Sequence, residues 1–301
     1  MATHLPQPVA ARSAAIPPAR ERFQSWLMVT LWALIVFPFV SIIAAVHTDN
    51  AIEDHALLTS QPMHAVYISI VLTLLVLALR AATPAAAACG GIICFSLALA
   101  ASTWTQHLYQ TLLPSLVLLF LLTYTATHIG RRRKLALGVA EHPRGRTASQ
   151  IVANIGVASL AAMMQTVSFA FTVAALAVLA EATADTLSSE LGPLLPGPTL
   201  LINTLRPVRP GTDGGVSLGG TLFGVAGAAL VTWSGIHALQ IGWPEAWIAF
   251  LCAVFGLLTD SVLGATLERR GLIGNDMVNL LSSSLTALIA ASFAYMVLGY
   301  L

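Results

Sequence analysis

Charge is the scarcest commodity in this 301-residue chain, where Lys, Arg, Asp and Glu together make up 9%, against roughly 25% in soluble domains. Such a chain cannot clothe a water-facing surface at ordinary density. An excess of either sign is also missing, because the formal net charge is +1. That excludes the concentrated basic face a nucleic-acid partner requires. Cysteine is down to Cys89, Cys94 and Cys252, each inside an apolar run, with no CxxC spacing and no neighbouring His. Neither a disulfide framework nor a structural zinc site can be built from them. Aromatics are modest at 7%, which leaves Ala and Leu to meet lipid. What remains is apolar: 57% hydrophobic residues and a mean hydropathy of +0.82. These values fit a polytopic membrane protein whose spans each need ~20 apolar residues.

The apolar runs are Ser25–Val46, His64–Ala82, Ala85–Ser102, Thr111–Ile129, Ile151–Gln165, Ser168–Thr186, Val216–Ile236, Pro244–Ala265 and Met277–Leu301. The expected fold is therefore all-α, a polytopic transmembrane helix bundle of about nine spans. The doubtful stretch is Ile151–Thr186, which is one overlong helix or a pair turning near Gln165. Lys and Arg accumulate on the cytoplasmic side of membranes, and this decides it. With nine spans and a cytoplasmic N-terminus, all 14 strong bases fall inside and the C-terminus lies outside. Merging the pair would move Arg206, Arg209, Arg269 and Arg270 outside. Ile151–Gln165 is short enough to be tilted or partly re-entrant. Residues 1–24, rich in Pro, Ala and Arg, are expected to be a disordered tail, and 25–301 a single integral membrane domain. The membrane is expected to be a bacterial inner membrane, or a plastid membrane if the source is eukaryotic. The bilayer is the partner this composition demands, and association as a homodimer stays open.

Nine of the 13 acids and every strong base fall on the expected cytoplasmic side, so chemistry on charged ligands belongs there. Ala180–Gly192 places Glu181, Asp185 and Ser188 or Ser189 at helical spacing on one face, with Glu190 close behind. Carboxylates four residues apart repel, and near lipid that repulsion asks for a proton or a cation. Mg2+ accepts one or two carboxylates and takes its other ligands from water and phosphate. Thr259–Gly271 carries Asp260 and Ser261 near the inner edge of a span, where an ionisable residue is functional by default. The plainer alternative for Asp260 is a salt bridge to Arg269 or Arg270. Between the two acids runs Pro193–Gly215, an extended connection held by prolines. Its continuation contains Arg206, Arg209, Gly211, Thr212, Gly214, Gly215, Ser217, Gly219 and Thr221. Glycines let backbone N–H groups approach an anion, a helix N-terminus favours negative charge, and arginines add charge that phosphates attract. Gly215 and Gly220 have Walker spacing, but Thr221 stands where the lysine belongs. Gly220 and Gly224 also read as close helix packing. Arg131–Lys134 reads as a topology-fixing basic run. Arg146, Gln150 and Asn154, with Asn275 and Asn279, are candidates to face a lipid headgroup, with Asn275 or Asp276 as an N-cap the plainer reading.

Five motifs occur in order: R-G-R-T-A-S-Q-I-V-A-N (Arg144–Asn154), A-T-A-D-T-L-S-S-E-L-G, P-G-T-D-G-G-V-S-L-G-G-T, T-D-S-V-L-G-A and N-D-M-V-N. Through them the chain resembles the integral membrane family that includes transmembrane protein 19 and the plastid phytyl-phosphate kinase, over roughly Pro84–Leu301. The resemblance implies a lipid-phosphate kinase that transfers a phosphoryl group from a nucleoside triphosphate, CTP-like, to an isoprenyl monophosphate such as phytyl phosphate. In that reading Asp185, Asp260, Ser189 and Glu190 are catalytic, and Asp185 and Asp260 hold Mg2+. Arg206 through Thr221 bind the triphosphate; Arg146, Gln150, Asn154, Ser261, Asn275 and Asn279 support the lipid headgroup. The alternative is a transporter or flippase of an anionic lipid or small anion.

Overall fold

A computed structural model of the chain describes residues 16–53, 61–100, 107–140 and 145–299. Residues 1–15 of the expected tail, Arg144 of the first motif and the last two residues lie outside the described ones. Each of the nine apolar runs carries helix over its described residues. The helices are α1 (Pro18–Glu53), α2 (Gln61–Ala78), α3 (Pro84–Leu99), α4 (Leu113–His128), α5 (Arg131–Leu137), α6 (Ala148–Ile151), α7 (Val157–Met163), α8 (Ala170–Leu191), α9 (Leu218–Leu239), α10 (Trp243–Leu263) and α11 (Asn275–Leu298). Helix α6 runs into α7 through a π-helical turn, Val152–Gly156, and α10 ends in another, Gly264–Glu268.

The starts follow local chemistry. Thr83 caps α3, its hydroxyl accepting from Ala86 N, with Pro84 in the first turn where a missing N–H costs nothing. Thr147 and Gln150 form a reciprocal capping box at α6. Ser217 caps α9 by accepting from Gly220 N at 3.1 Å. Among the described residues five helices are long and apolar enough to cross a membrane, or six if α4 and α5, bent by 65° at Gly130, form one broken span. Helices α2 and α3 are shorter apolar helices. The chain is thus a multi-pass bundle.

Helix α8 is its axis, packed on α4, α7, α9, α10 and α11 and buried over most of its length. Its alanines keep the axis thin, and α9 approaches it on glycines. A Cβ at Gly224 would lie 2.8 Å from Ala184 O and 2.9 Å from Leu257 Cδ2, and one at Gly235 would lie 2.4 Å from Leu176 Cδ2. Small residues of this kind replace the hydrophobic drive that lipid removes.

Two features differ from the sequence expectation, and one doubtful stretch resolves as expected. The bundle is mostly rather than wholly α, because the Pro193–Gly215 connection folds a small antiparallel sheet: β1 (Thr199–Leu201), β2 (Pro207–Val208) and β3 (Gly215–Val216), in the order β2-β1-β3. Pro207 tolerates strand geometry because β2 is an edge, where no ladder donor is missed. Helix α1 begins at Pro18, inside the stretch expected to be tail, because its first turns dock on the α10–α11 connection. Arg20 Nη1 donates to Gly271 O and Gln24 Nε2 to Leu272 O, both at 3.2 Å, while Gly274 N donates to Gln24 Oε1 at 3.0 Å. The doubtful stretch is two helices: a 3-10 turn at Met164–Thr166 ends the first and α8 restarts at Ala170.

The α8–α9 contact yields a stability prediction. Gly224→Val forces two methyls against Ala184 O and Leu257, an overpacking that costs about 1–3 kcal/mol. Thermal unfolding in detergent should show a lowered Tm. An unchanged Tm would mean that α9 does not pack as closely as described.

Candidate functional site

Where α8 and α10 end, Asp185 and Asp260 line one cavity with about 230 Å³ accessible to water. Ser189, Ser261, Glu268 and Asn275 share its wall, and so do Gly211, Thr212, Gly214, Gly215 and Ser217 of the loop before α9. A smaller cavity, about 90 Å³, is lined by Arg146, Gln150, Asn154, Thr186, Glu190 and Asn279. The two have Asp185, Ser189 and Asn275 in common. The structure therefore brings most of the expected site residues into two adjoining chambers. It does not bring all of them. Arg206 and Arg209 are exposed on the β1–β2 hairpin and its exit. Gly219 packs α9 on Leu195, where an added Cβ would sit 2.3 Å from Cδ1, and Thr221 lies outside both walls.

Two glycines bring the loop to the acids. Gly211 and Gly214 have φ of +82° and +71°, and a Cβ on Gly214 would lie 2.3 Å from Ala265 N. Only glycine fits there. The loop backbone thus lies directly on the π turn that carries Glu268. Such turns are common at functional sites, and the other one carries Asn154, whose Nδ2 donates to Gln150 O at 2.8 Å. Gly215 needs no left-handed φ; it is paired in β3, and a side chain there would crowd Thr212 O at 2.8 Å. Gly274 is the N-cap of α11, so Asn275 is left on the cavity wall. Arg146 is set by its predecessor: Gly145, at φ +74°, sits so close to Ala81 that a Cβ would lie 2.5 Å from its carbonyl carbon. Arg146 N then donates to Ala81 O at 3.0 Å, and Arg146 O accepts from Thr83 N at 2.9 Å. The guanidinium donates to Thr186 Oγ1 at 3.3 Å and is the cation next to Asp185.

Negative charge is in surplus. Glu181, 2% exposed, has its Oε1 2.8 Å from Ser282 Oγ, and the same hydroxyl lies 3.4 Å from Asp260 Oδ2. The hydroxyl brings one proton to two carboxylates. Asp185, Glu181 and Glu268 are the acids that press on Asp260. Among the described residues Asp260 makes no salt bridge to Arg269 or Arg270; the only ion pair there is Lys134–Glu190. At the rim, burial raises the Asp213 carboxyl above its usual range while Arg269 pulls it back. Arg269 Nη1 is buried without a hydrogen-bond partner. Among the described residues no group of three or more His, Cys, Asp or Glu is arranged to hold a metal ion.

Sequence reasoning named only part of this site. Glu181 was visible one turn before Asp185, and Glu268 two turns beyond Asp260. Ser282 lies in a serine run on a different helix, and nothing in its neighbours marks it. Lys134, the only lysine in the sequence, is not the exposed charge of a basic run. It is 1% exposed, and its Nζ donates to Ala126 O and Thr127 O at 2.6 and 3.1 Å and pairs with Glu190. It thereby satisfies the last carbonyls of α4. Glu190 also accepts from Thr127 Oγ1 at 3.3 Å, so this carboxylate ties α4 and α5 to α8.

A multi-pass bundle with one polar end is the class that this geometry defines. Residues 67–287 match the family described as integral membrane protein DUF92, and the chain belongs to that family. It is 34% identical to an uncharacterized membrane protein of Methanocaldococcus jannaschii over 54% of this chain and 68% of that one. It is 29% identical to Protein VTE6, chloroplastic, of Arabidopsis thaliana over 57% of this chain. The match spans about half (55%) of the plant protein's length. An uncharacterized membrane protein of Synechocystis is 30% identical over 57% of this chain and 69% of its own. No solved structure matches the chain. The family drawn from the five ordered motifs is thus the one to which the chain belongs.

The Lys134–Glu190 pair gives the second prediction. Lys134→Met strands a carboxylate that is only 9% exposed and should destabilise the protein by about 3–5 kcal/mol. Adding Glu190→Leu should recover most of that loss in the same unfolding measurement. A double variant as unstable as the single one would show that the pair is not the source.

Proposed function

We propose that this protein is a membrane-embedded lipid-phosphate kinase that transfers the terminal phosphoryl group of a CTP-like nucleoside triphosphate to an isoprenyl monophosphate such as phytyl phosphate. The products are the isoprenyl diphosphate and the nucleoside diphosphate. The observation that carries this reading is the pair of chambers meeting at Asp185. The glycine-lined, acid-rich chamber suits a triphosphate and its metal; the chamber of Arg146, Gln150, Asn154 and Asn279 suits a phosphate monoester. The monoester oxygen is already anionic, so attack on the terminal phosphorus needs no strong base. Positioning and charge neutralisation remain, and phosphoryl transfer depends mainly on those.

The residues present fit Mg2+. Asp185 and Asp260 share a wall without a salt bridge among the described residues, and a site with one or two carboxylates is the kind that Mg2+ completes with phosphate and water. Bound there, Mg2+ would neutralise charge on the transferring group. Ser189 and Ser261 stand beside these acids, Gly211 to Gly215 offer backbone, and Arg269 lies behind the wall as the cation acting on Asp213. Arg206 and Arg209 flank the loop and would add charge at its outer rim. The plant relative supports the reading only over the matched length, and the family resemblance supplies the isoprenyl substrate. The proposed topology is nine spans with the N-terminus and both Asp motifs cytoplasmic, in a bacterial inner membrane or a plastid membrane. A homodimer is compatible with it.

Purified protein should transfer labelled phosphate from CTP, ATP, GTP or UTP to phytyl, geranylgeranyl or farnesyl monophosphate. Asp185→Asn and Asp260→Asn should each cut turnover by roughly a thousandfold or more, about 4 kcal/mol of barrier, while still inserting and folding. Absence of transfer with every donor and acceptor would remove the kinase reading. The topology has its own check: cysteines introduced near Thr199 and Gly271 should be labelled only from the cytoplasmic side. Labelling of either from outside would end the one-sided site.

A further inference from the structure

A third cavity lies apart from the acids, between the inner ends of α2, α3 and α4, with about 140 Å³ accessible to water. Its deep wall is apolar, with Leu72, Leu116 and Leu119. The threonines on it already have acceptors for their hydroxyls: Thr73 has Ser69 O, Thr123 has Phe120 O, and Thr127 has Thr123 O and Glu190 Oε1. They therefore offer little to a polar guest. The opposite end is cationic, formed by Arg80, Arg131 and Arg146 with His128, and no described acid lines any part of it. From Leu116 to His128 α4 runs twelve residues, ~18 Å at about 1.5 Å per residue. That is more than half of a hydrocarbon core ~30 Å thick. Arg146 and Asn154 belong both to this groove and to the smaller polar chamber beside Asp185.

We infer that this groove is the binding site for the hydrocarbon chain of an isoprenyl monophosphate, with the phosphate held at Arg146 where the groove opens toward Asp185. The inference rests on the kinase reading and locates its acceptor. Charge complementarity selects a guest with a single anionic head, since the mouth is cationic and the shaft apolar. Continuity through Arg146 and Asn154 selects the reacting lipid over a bystander, because a head at that arginine borders the chamber of the phosphoryl donor. The length favours a long chain over a five-carbon one.

Gly90 makes the groove testable. It lies on the wall, and a Cβ added there would meet nothing within 4 Å, whereas one at its neighbour Gly91 would strike Thr73 Oγ1 at 2.5 Å. Gly90→Phe should thus fill the shaft without opening the α2–α3 contact. With geranylgeranyl monophosphate as acceptor, KM should rise tenfold or more while the KM for nucleotide stays put. The preference for this acceptor over isopentenyl monophosphate should fall by the same factor. An unaltered preference in a folded variant would overturn the groove and leave the kinase reading standing. A binding measurement needs neither turnover nor a variant. Geranylgeranyl monophosphate bearing a diazirine at its far end, irradiated with wild-type protein without nucleotide, should label peptides of α2, α3 and α4. Unmodified geranylgeranyl monophosphate should compete. Labelling elsewhere would refute the site, and equal competition by vesicles containing dioleoyl phosphatidic acid would show an ordinary phospholipid groove instead. Labelling as expected in a protein that transfers no phosphate would sustain the lipid site and remove the kinase.

Discussion

Helix α8 carries Glu181, Asp185 and Glu190 through the interior of a bundle, where each uncompensated charge costs several kcal/mol. Each acid meets that constraint differently. Glu190 is neutralised by Lys134, which also satisfies the end of α4. Asp185 has Arg146 near it but no direct pair, and Glu181 shares one serine hydroxyl with Asp260 of α10. The first of these solves a packing problem completely. Asp185 is left on a cavity wall without a direct pair, where the proposed cation and phosphates would balance it.

The same helix can be approached so closely because its neighbours give up side chains where they touch it. Gly220 and Gly224 of α9 lie against Ser188 O and Ala184 O, so the N-terminal end of α9 is drawn down onto the polar end of α8. That draws in the loop before α9 as well, and Gly214 then settles on the π turn of α10. Glycines read as phosphate-binding and glycines read as packing are thus successive links of one chain. The packing ones fix where the others can present backbone, and this is why Gly219 and Thr221 have no place on the cavity wall while Gly211 and Gly214 do.

Periodicity and composition made the helices legible: every apolar run carries helix over its described residues, and Gln165 lies where the doubtful pair turns. The Asp185, Asp260 and glycine-loop motifs were legible because a carboxylate or a glycine cluster at a helix end is anomalous in an apolar chain. Contacts between distant segments were not. Lys134 lies 56 residues from Glu190, and a lysine at the end of R-R-R-K carries no local sign that it turns inward. Arg20 and Gln24 look like tail residues until Gly271 and Leu272 supply their partners. The small sheet was hidden for a related reason. Its strands are two or three residues long, too short for alternation to register, and prolines there signal an open loop as readily as an edge.

The distribution of polarity along α8 bears on catalysis against transport. A carrier needs polar groups on both sides of its substrate, so that alternating access has somewhere to lead. Here both polar chambers lie at the Asp185–Gly192 end, and the other half of α8, from Ala170 to Ala180, is buried and almost entirely apolar. Its one described polar side chain, Thr172, and Thr232 of α9 have hydroxyls buried without partners; isolated hydroxyls do not make a conduit. The apolar groove leads from Arg146 into the depth of the bundle and is lined by leucines, which suits a lipid tail that stays in place while its head reacts. Polarity confined to one end, with an apolar shaft leading from it, supports the proposed kinase over a carrier.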